Sequence, residues 1–188
     1  MSRAYRISVK ESLSRHVQVE DGVSSSLELL PILEKERMRE LLAAELLKRG
    51  FTREGQVAKR DEGKGVSVEV DLETGTVTVS AEGHKAVELE TQRTTVVDRD
   101  AGGMEAKEKH LRDAAKEALE RDAAAHEAAL QREVTARLEG TLKDLRQELD
   151  GAVNRVTGEA LKQRARELGE VQEIHEEPNG SLTIKVRV

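Results

Sequence analysis

From Met104 to Leu168 the sequence runs without a proline and is dominated by Ala, Glu, Leu, Lys, Arg and Gln, the residues with the best helix propensity. Small or apolar residues recur along it, from Leu111, Ala115, Leu119, Ala123 and His126 through Leu130, Val134, Leu138, Leu142, Leu145, Leu149, Val153 and Val156 to Ala160. Their mean step is about 3.8 residues, nearer the roughly 3.67 of an eleven-residue repeat than the roughly 3.5 of a heptad. Such a stripe specifies a straight or slightly right-handed bundle rather than a leucine zipper. As one helix the segment would be roughly 95 Å long, at about 1.5 Å per residue.

Gly140, Gly151 and Gly158 interrupt the run, and Asp150-Gly151 is a turn signal, so an antiparallel helical hairpin is the alternative to a single helix. The apolar phase passes each glycine without a slip, which favours continuity even though glycine costs about 1 kcal/mol per site against alanine. Exposed pairs such as Glu117 with Arg121 and Glu139 with Lys143 support a solvated outer face. The inner face is more demanding. Leu130, Val134, Leu138, Leu142, Leu145, Leu149, Val153 and Val156 form a seam that needs cover. A small compact part is too short to shield it, so the expected cover is a returning half-helix or a second chain, and the seam is the candidate oligomerisation surface.

Ahead of the long helix the period changes to two. Tyr5, Ile7 and Val9 alternate with polar residues, as do Val17 and Val19 before Asp21-Gly22 and Leu27 and Leu29 after it. This pattern predicts two or three short strands with Asp21-Gly22 as a turn. Pro31 then precedes helical spacing over 32–49 through Leu33, Met38, Leu41, Leu42 and Leu46, closed by Gly50 after Lys48-Arg49. A strand around Val57 follows. Val66, Val68 and Val70 and then Val77 and Val79 flank Leu72-Glu73-Thr74-Gly75 as a hairpin, and 86–97 reads as a further strand. Ala101-Gly102-Gly103 reads as a hinge. The tail from 169 predicts a second hairpin around Asn179-Gly180.

The expected class is therefore α+β: a small antiparallel β-sheet head over 1–100 carrying helix 32–49, a hinge at 101–103, a long coiled-coil-like helical segment over 104–168 and a C-terminal β-hairpin over 169–188. Tyr5 and Phe51 are the only aromatics and charged residues make up 36% of the chain, so its core must be aliphatic and thin. A net charge of -6 weighs against a general affinity for nucleic acid, which needs a cationic surface. The lack of cysteine removes disulfides, thiol catalysis and thiolate metal sites. Without an apolar leader or a bilayer-length apolar run, a soluble, cytoplasmic protein is expected.

Chemistry-bearing residues do not converge. His16, His84, His110, His126 and His175 lie on different elements without the helical spacing of paired zinc ligands. His126, on the seam, reads as a packed neutral histidine. Glu108-Lys109-His110 misses the Glu-x-x-His spacing of helix-borne metal sites. Glu62-Gly63-Lys64-Gly65 and Ala101-Gly102-Gly103 are turns rather than phosphate-binding loops. No catalytic, cofactor or metal residues are assigned, and a non-enzymatic adaptor or assembly role is expected. The alternatives are an enzyme whose site forms only at an oligomer interface, and nucleic-acid association through Lys59-Arg60 with Lys64 and Lys85.

Ala4-Tyr5-Arg6-Ile7-Ser8-Val9-Lys10-Glu11-Ser12, Leu27-Glu28-Leu29-Leu30-Pro31-Ile32-Leu33 and Glu177-Pro178-Asn179-Gly180-Ser181-Leu182-Thr183-Ile184 together resemble small accessory proteins of bacterial FtsH ternary systems. These are encoded beside a MoxR-type AAA+ ATPase, a von Willebrand factor A protein and an FtsH-like ATPase. The resemblance implies an adaptor or substrate-handling role with those proteins as partners. It carries no site residues.

Overall fold

The computed structural model describes residues 4–98, 103–177 and 181–187. Its elements are β1 (Ala4–Ser26), α1 (Lys35–Lys48), β2 (Thr52–Glu54), β3 (Val57–Gly63), β4 (Val66–Asp71), β5 (Thr76–Asp98), α2 (Met104–Leu168), β6 (Glu170–Glu176) and β7 (Leu182–Arg187). The class is α+β, as the patterning predicts. A five-stranded antiparallel sheet takes the order β1-β5-β4-β3-β2, and β6 and β7 form a two-stranded sheet of their own. The chain divides into two compact units, each assembled from two segments: 1–20 with 82–135, and 21–81 with 136–188.

Several local expectations need correction. Asp21-Gly22 is no turn; it lies inside β1, a single strand of 23 residues. The segments around Val77 and 86–97 likewise belong to one 23-residue strand, β5. The reason is visible at Gly22, where a Cβ would sit 3.2 Å from the Val79 carbonyl oxygen. Glycine there lets two strand backbones lie close rather than turning the chain. The stretch 51–60 holds two strands, β2 and the start of β3, paired from Thr52 opposite Lys59 to Glu54 opposite Val57. α2 is one helix of 65 residues that passes Gly140, Gly151 and Gly158. Residues 101–102 of the expected hinge and the Pro178-Asn179-Gly180 turn lie outside the described residues. β6 and β7 pair antiparallel, from Glu170 opposite Arg187 to Glu176 opposite Leu182.

In the unit formed by 21–81 and 136–188, the sheet buries Ala58 of β3, Val66, Val68 and Val70 of β4, and Val77, Val79 and Ala81 of β5. Alternate residues point to opposite faces of a strand, so these valines line one face. Over that face α1 contributes Met38, Leu42 and Leu46, and α2 contributes Leu138, Leu145, Leu149, Ala152 and Val156, all buried. α1 closes by a bonding pattern that only a left-handed residue permits. Gly50 has φ 84°, its N–H donates to Leu47, and the Phe51 N–H donates back to Leu46 at 3.1 Å.

A polar clamp joins three elements of this unit. Arg60 of β3 donates from both terminal nitrogens to the Glu148 carboxylate of α2, at 2.7 and 2.8 Å, and to the Arg49 carbonyl at the end of α1. Its guanidinium lies 4.4 Å from the Phe51 ring centroid. The Arg60 hydrogen bond holds the Glu148 carboxyl below its ordinary range, against the opposing effect of burial. Arg49 donates to the Glu148 carbonyl and pairs with Glu45, tying the same corner again.

The unit formed by 1–20 and 82–135 is simpler. Val9, Val17 and Val19 of β1 and Val87 of β5 are buried, as are Ala115, Leu119, Ala123, Leu130 and Val134 of α2. β5 meets the helix closely at Gly83, where a Cβ would fall 2.6 Å from Val134 Cγ2 and 3.2 Å from Leu130 Cδ1. Only a residue without a side chain lets the strand lie against α2 there. Arg15 with Glu120 at 2.8 Å and Glu11 with Arg112 at 3.1 Å add ion pairs between β1 and the helix.

Candidate interaction surface

The seam residues take two sides of one answer. Leu130, Val134, Leu138, Leu145, Leu149 and Val156 are buried within the chain, and Leu142 and Val153 are half-buried. The premise that one chain lacks the surface to cover them is therefore corrected. That premise assumed short strands, whereas β5 meets the helix at Gly83 and β1 is ion-paired to it through Glu11 and Arg15. The eleven-residue period does hold in the burial pattern: Ala123, Val134, Leu145 and Val156 are all buried, as are Leu138, Leu149 and Ala160. A period close to that of the α-helix itself keeps an apolar stripe nearly parallel to the axis. A strand can cover such a stripe as well as a second helix can.

Other charged candidates are also accounted for internally. Lys59 is bound by Glu69 at 3.0 Å and Glu54 at 3.5 Å, and Arg60 is committed to the clamp. The basic strip thus gives up two of its cations to neighbouring carboxylates. His126 is half-buried on α2 and His84 lies 3.6 Å from Glu82. Among the described residues no group of three or more His, Cys, Asp or Glu could hold a metal ion.

What stands out is the segment between β1 and α1, Leu27-Glu28-Leu29-Leu30-Pro31-Ile32-Leu33. It has no regular secondary structure. The Leu27 N–H donates to the Gly75 carbonyl at 2.8 Å, fixing one end on the β4–β5 turn, and Leu33 is buried at the other end. In between, Leu29 donates to Leu27 and Ile32 to Leu30, two successive three-residue turns. They push the middle outward. Leu30 is 60% exposed, next to exposed Pro31 and half-exposed Ile32.

A cleft lies on each side of this knuckle. One, about 240 Å³, is walled by Leu29, Leu30, Leu33, Met38 and Leu72 with Arg39 among its lining. The other, about 430 Å³, lies between Pro31, Ile32 and Arg37 of this segment and α1 and Arg164 and Glu167 of α2. Ion pairs rim them: Lys35 with Glu73 at 3.2 Å, Arg164 with Glu167 at 3.0 Å, and Arg37 with Glu167, while Arg37 also donates a hydrogen bond to the Gln163 side-chain oxygen. Arg37 and Arg164 together hold the Glu167 carboxyl below its ordinary range. Arg39 spends a terminal nitrogen on Glu36, while its Nε is buried without a hydrogen-bond partner among the described residues. An apolar projection with a polar rim is the anatomy of a protein-binding patch.

The family model for FtsH ternary system domain X5 matches residues 1–188. The chain belongs to this family. The resemblance carried by its two ends and the Leu27–Leu33 passage thus extends over the whole sequence, and the family places the chain as an accessory domain of an FtsH ternary system. No curated protein and no solved structure matches it. No helix among the described residues is long and apolar enough to cross a membrane.

Proposed function

We propose that this X5 domain is a non-enzymatic, cytoplasmic adaptor that binds an AAA+ ATPase of its ternary system, MoxR-type or FtsH-like, through the Leu29–Ile32 knuckle. The observation that carries the reading is the exposure of Leu30 and Pro31 between two clefts in a chain matched over its full length to the family. Burying one such aliphatic side chain in a partner's pocket contributes about 1.5–3 kcal/mol, enough to make it an anchor. A von Willebrand factor A protein of the same system is the other partner to be tested. A second copy bound through the α2 seam would have to displace the chain's own strands, so this reading places the contact surface on the knuckle instead.

Calorimetric titration of the purified chain with each purified component tests the proposal. Binding to an ATPase, weakened at least tenfold by Leu30→Asp, is the expected result. No binding to either ATPase, or binding indifferent to Leu30→Asp, overturns it.

A further inference from the structure

The two edges of the five-stranded sheet differ sharply. β2 forms one edge with only Thr52, Arg53 and Glu54, all exposed; a short charged strand discourages the addition of another. β1 forms the other edge and runs for 23 residues. Among the described residues no backbone hydrogen bond outside the sheet engages residues 6–20 of β1. A long edge of this kind is a template for strand pairing.

The occupant is written in the strand itself. With Leu13 placed opposite Leu13 of a second, antiparallel copy, the helix-facing side pairs Val9 with Val17 and Ile7 with Val19, and sets Glu11 opposite Arg15. On the outer face the same register sets Arg6 opposite Glu20, Ser8 opposite Gln18 and Ser12 opposite Ser14. Lys10 faces His16. Because each of these pairs occurs twice about a two-fold axis, complementarity is doubled. Moving the axis by one residue destroys it: centred on Ser12, Glu11 faces Leu13 and Arg15 faces Val9; centred on Ser14, Glu11 faces Val17 and Arg15 faces Leu13. Inward charges usually guard an edge. Here Glu11 and Arg15 are each neutralised by α2, through Arg112 and Glu120, so they bring no bare charge to the joint.

We infer that β1 is a homodimerisation edge, pairing antiparallel with β1 of a second copy about a two-fold axis at Leu13. This goes beyond the adaptor reading and does not depend on it, since its test involves no other protein. Light scattering on the purified chain should give twice the monomer mass of 20.8 kDa. Ser12→Lys/Ser14→Lys, which places four ammonium groups at the axis, should return the monomer mass with the helical circular dichroism unchanged. Arg6→Glu should weaken the dimer on the order of tenfold by turning two attractive pairs repulsive, and Arg6→Glu/Glu20→Arg should restore it. Arg6 and Glu20 are exposed and make no ion pair within the described chain, so a merely structural role would show no such rescue. As the chain has no cysteine, Ser12→Cys/Ser14→Cys should oxidise to a covalent dimer, because directly opposed Cβ atoms lie within disulfide reach. Ser8→Cys, opposite Gln18, should not. A monomeric mass for the unaltered chain, or a dimer indifferent to the lysines and the charge exchange, overturns the inference.

Discussion

The unit built from 21–81 and 136–188 and the unit built from 1–20 and 82–135 solve the same packing problem with different means. The first lays two helices on a sheet and locks a corner with Arg60, Glu148 and Arg49. The second sets one stretch of α2 against parts of β1 and β5 alone, and two of its helix positions, Ala115 and Ala123, are alanines. Buried area scales with the layers available, so the first unit holds a conventional core and the second a strip. The contrast teaches that a chain nearly without aromatics can fold where aliphatic residues are sandwiched, but lies open along an edge where they are only backed.

The strongest blow to this comparison would fall on Leu46, fully buried in α1 and also the acceptor for the helix-closing bond from Phe51. Leu46→Ala should cost about 3–5 kcal/mol in urea unfolding, because a site enclosed on all sides cannot collapse around the lost methyls. Leu119→Ala, in the strip, should cost about 2–3 kcal/mol, the lower end of the same range, since fewer layers hold its surroundings fixed. Equal losses would show that the strip is packed as rigidly as the sandwich. Native-state hydrogen exchange sharpens the point: amides of α2 within 104–135 should lose protection before those within 136–168.

The clamp comes next in size. Arg60 and Glu148 retain only 17% and 29% of their side-chain exposure, so Arg60→Met leaves a carboxylate short of its main donor and should cost about 2–3 kcal/mol. The pH dependence has a definite sign. Glu148 is held below its ordinary value near 4.5, chiefly by its hydrogen bond to Arg60, so the unfolded chain binds its proton more readily. Its stabilisation is present above that ordinary value and is lost as pH falls through the lower folded one. Arg60→Met should therefore flatten part of the acid-side loss of stability seen by chemical denaturation between neutral pH and the acid limb. An unchanged slope would mean that Arg49 alone sustains the carboxylate.

Much of this architecture is legible in the residues, and the illegible part has a physical cause. Helix α1 is announced by its spacing and by Gly50; the β4–β5 turn by Leu72-Glu73-Thr74-Gly75, where the Asp71 carboxylate accepts from the Glu73 and Thr74 N–H groups at 2.8 and 2.9 Å; the long helix by its unbroken phase. What misleads is glycine. Gly22 reads with Asp21 as a turn, yet it and Gly83 each mark a close approach by a neighbouring element. Periodicity reports that a face is buried but not by what, which is why the seam of α2 suggests a helical partner when strands cover it. Neither clamp nor knuckle is visible at all. Arg60 and Glu148 lie 88 positions apart, and the outward thrust of Leu30 depends on two local turns that composition does not encode.

Gly83 makes the comparison sharper with a smaller perturbation. Gly83→Ala puts a methyl 2.6 Å from Val134 Cγ2, a distance real packing does not sustain, so strand and helix must separate by a fraction of an ångström at a cost of about 1–2 kcal/mol. The double variant Gly83→Ala/Val134→Ala removes the obstructing methyls and should be less destabilised than the sum of its parts, a coupling readable in a double-mutant cycle. Strict additivity would place the strand farther from α2 than the contact implies.

The smallest effect is expected where function is proposed. Leu30→Ser removes an apolar side chain that is 60% exposed, so unfolding in urea should move by no more than about 0.5 kcal/mol. It stands in the well-packed unit, where Leu46 and Leu42 are fully buried, and its indifference would show that the knuckle is held from both ends, by Leu27 on Gly75 and by Leu33 in the core, rather than by its own contacts. A loss of several kcal/mol would reassign Leu30 to the fold and remove the reason for its exposure to be read as recognition. With stability unchanged, any accompanying loss of affinity for a system component belongs to the contact surface alone.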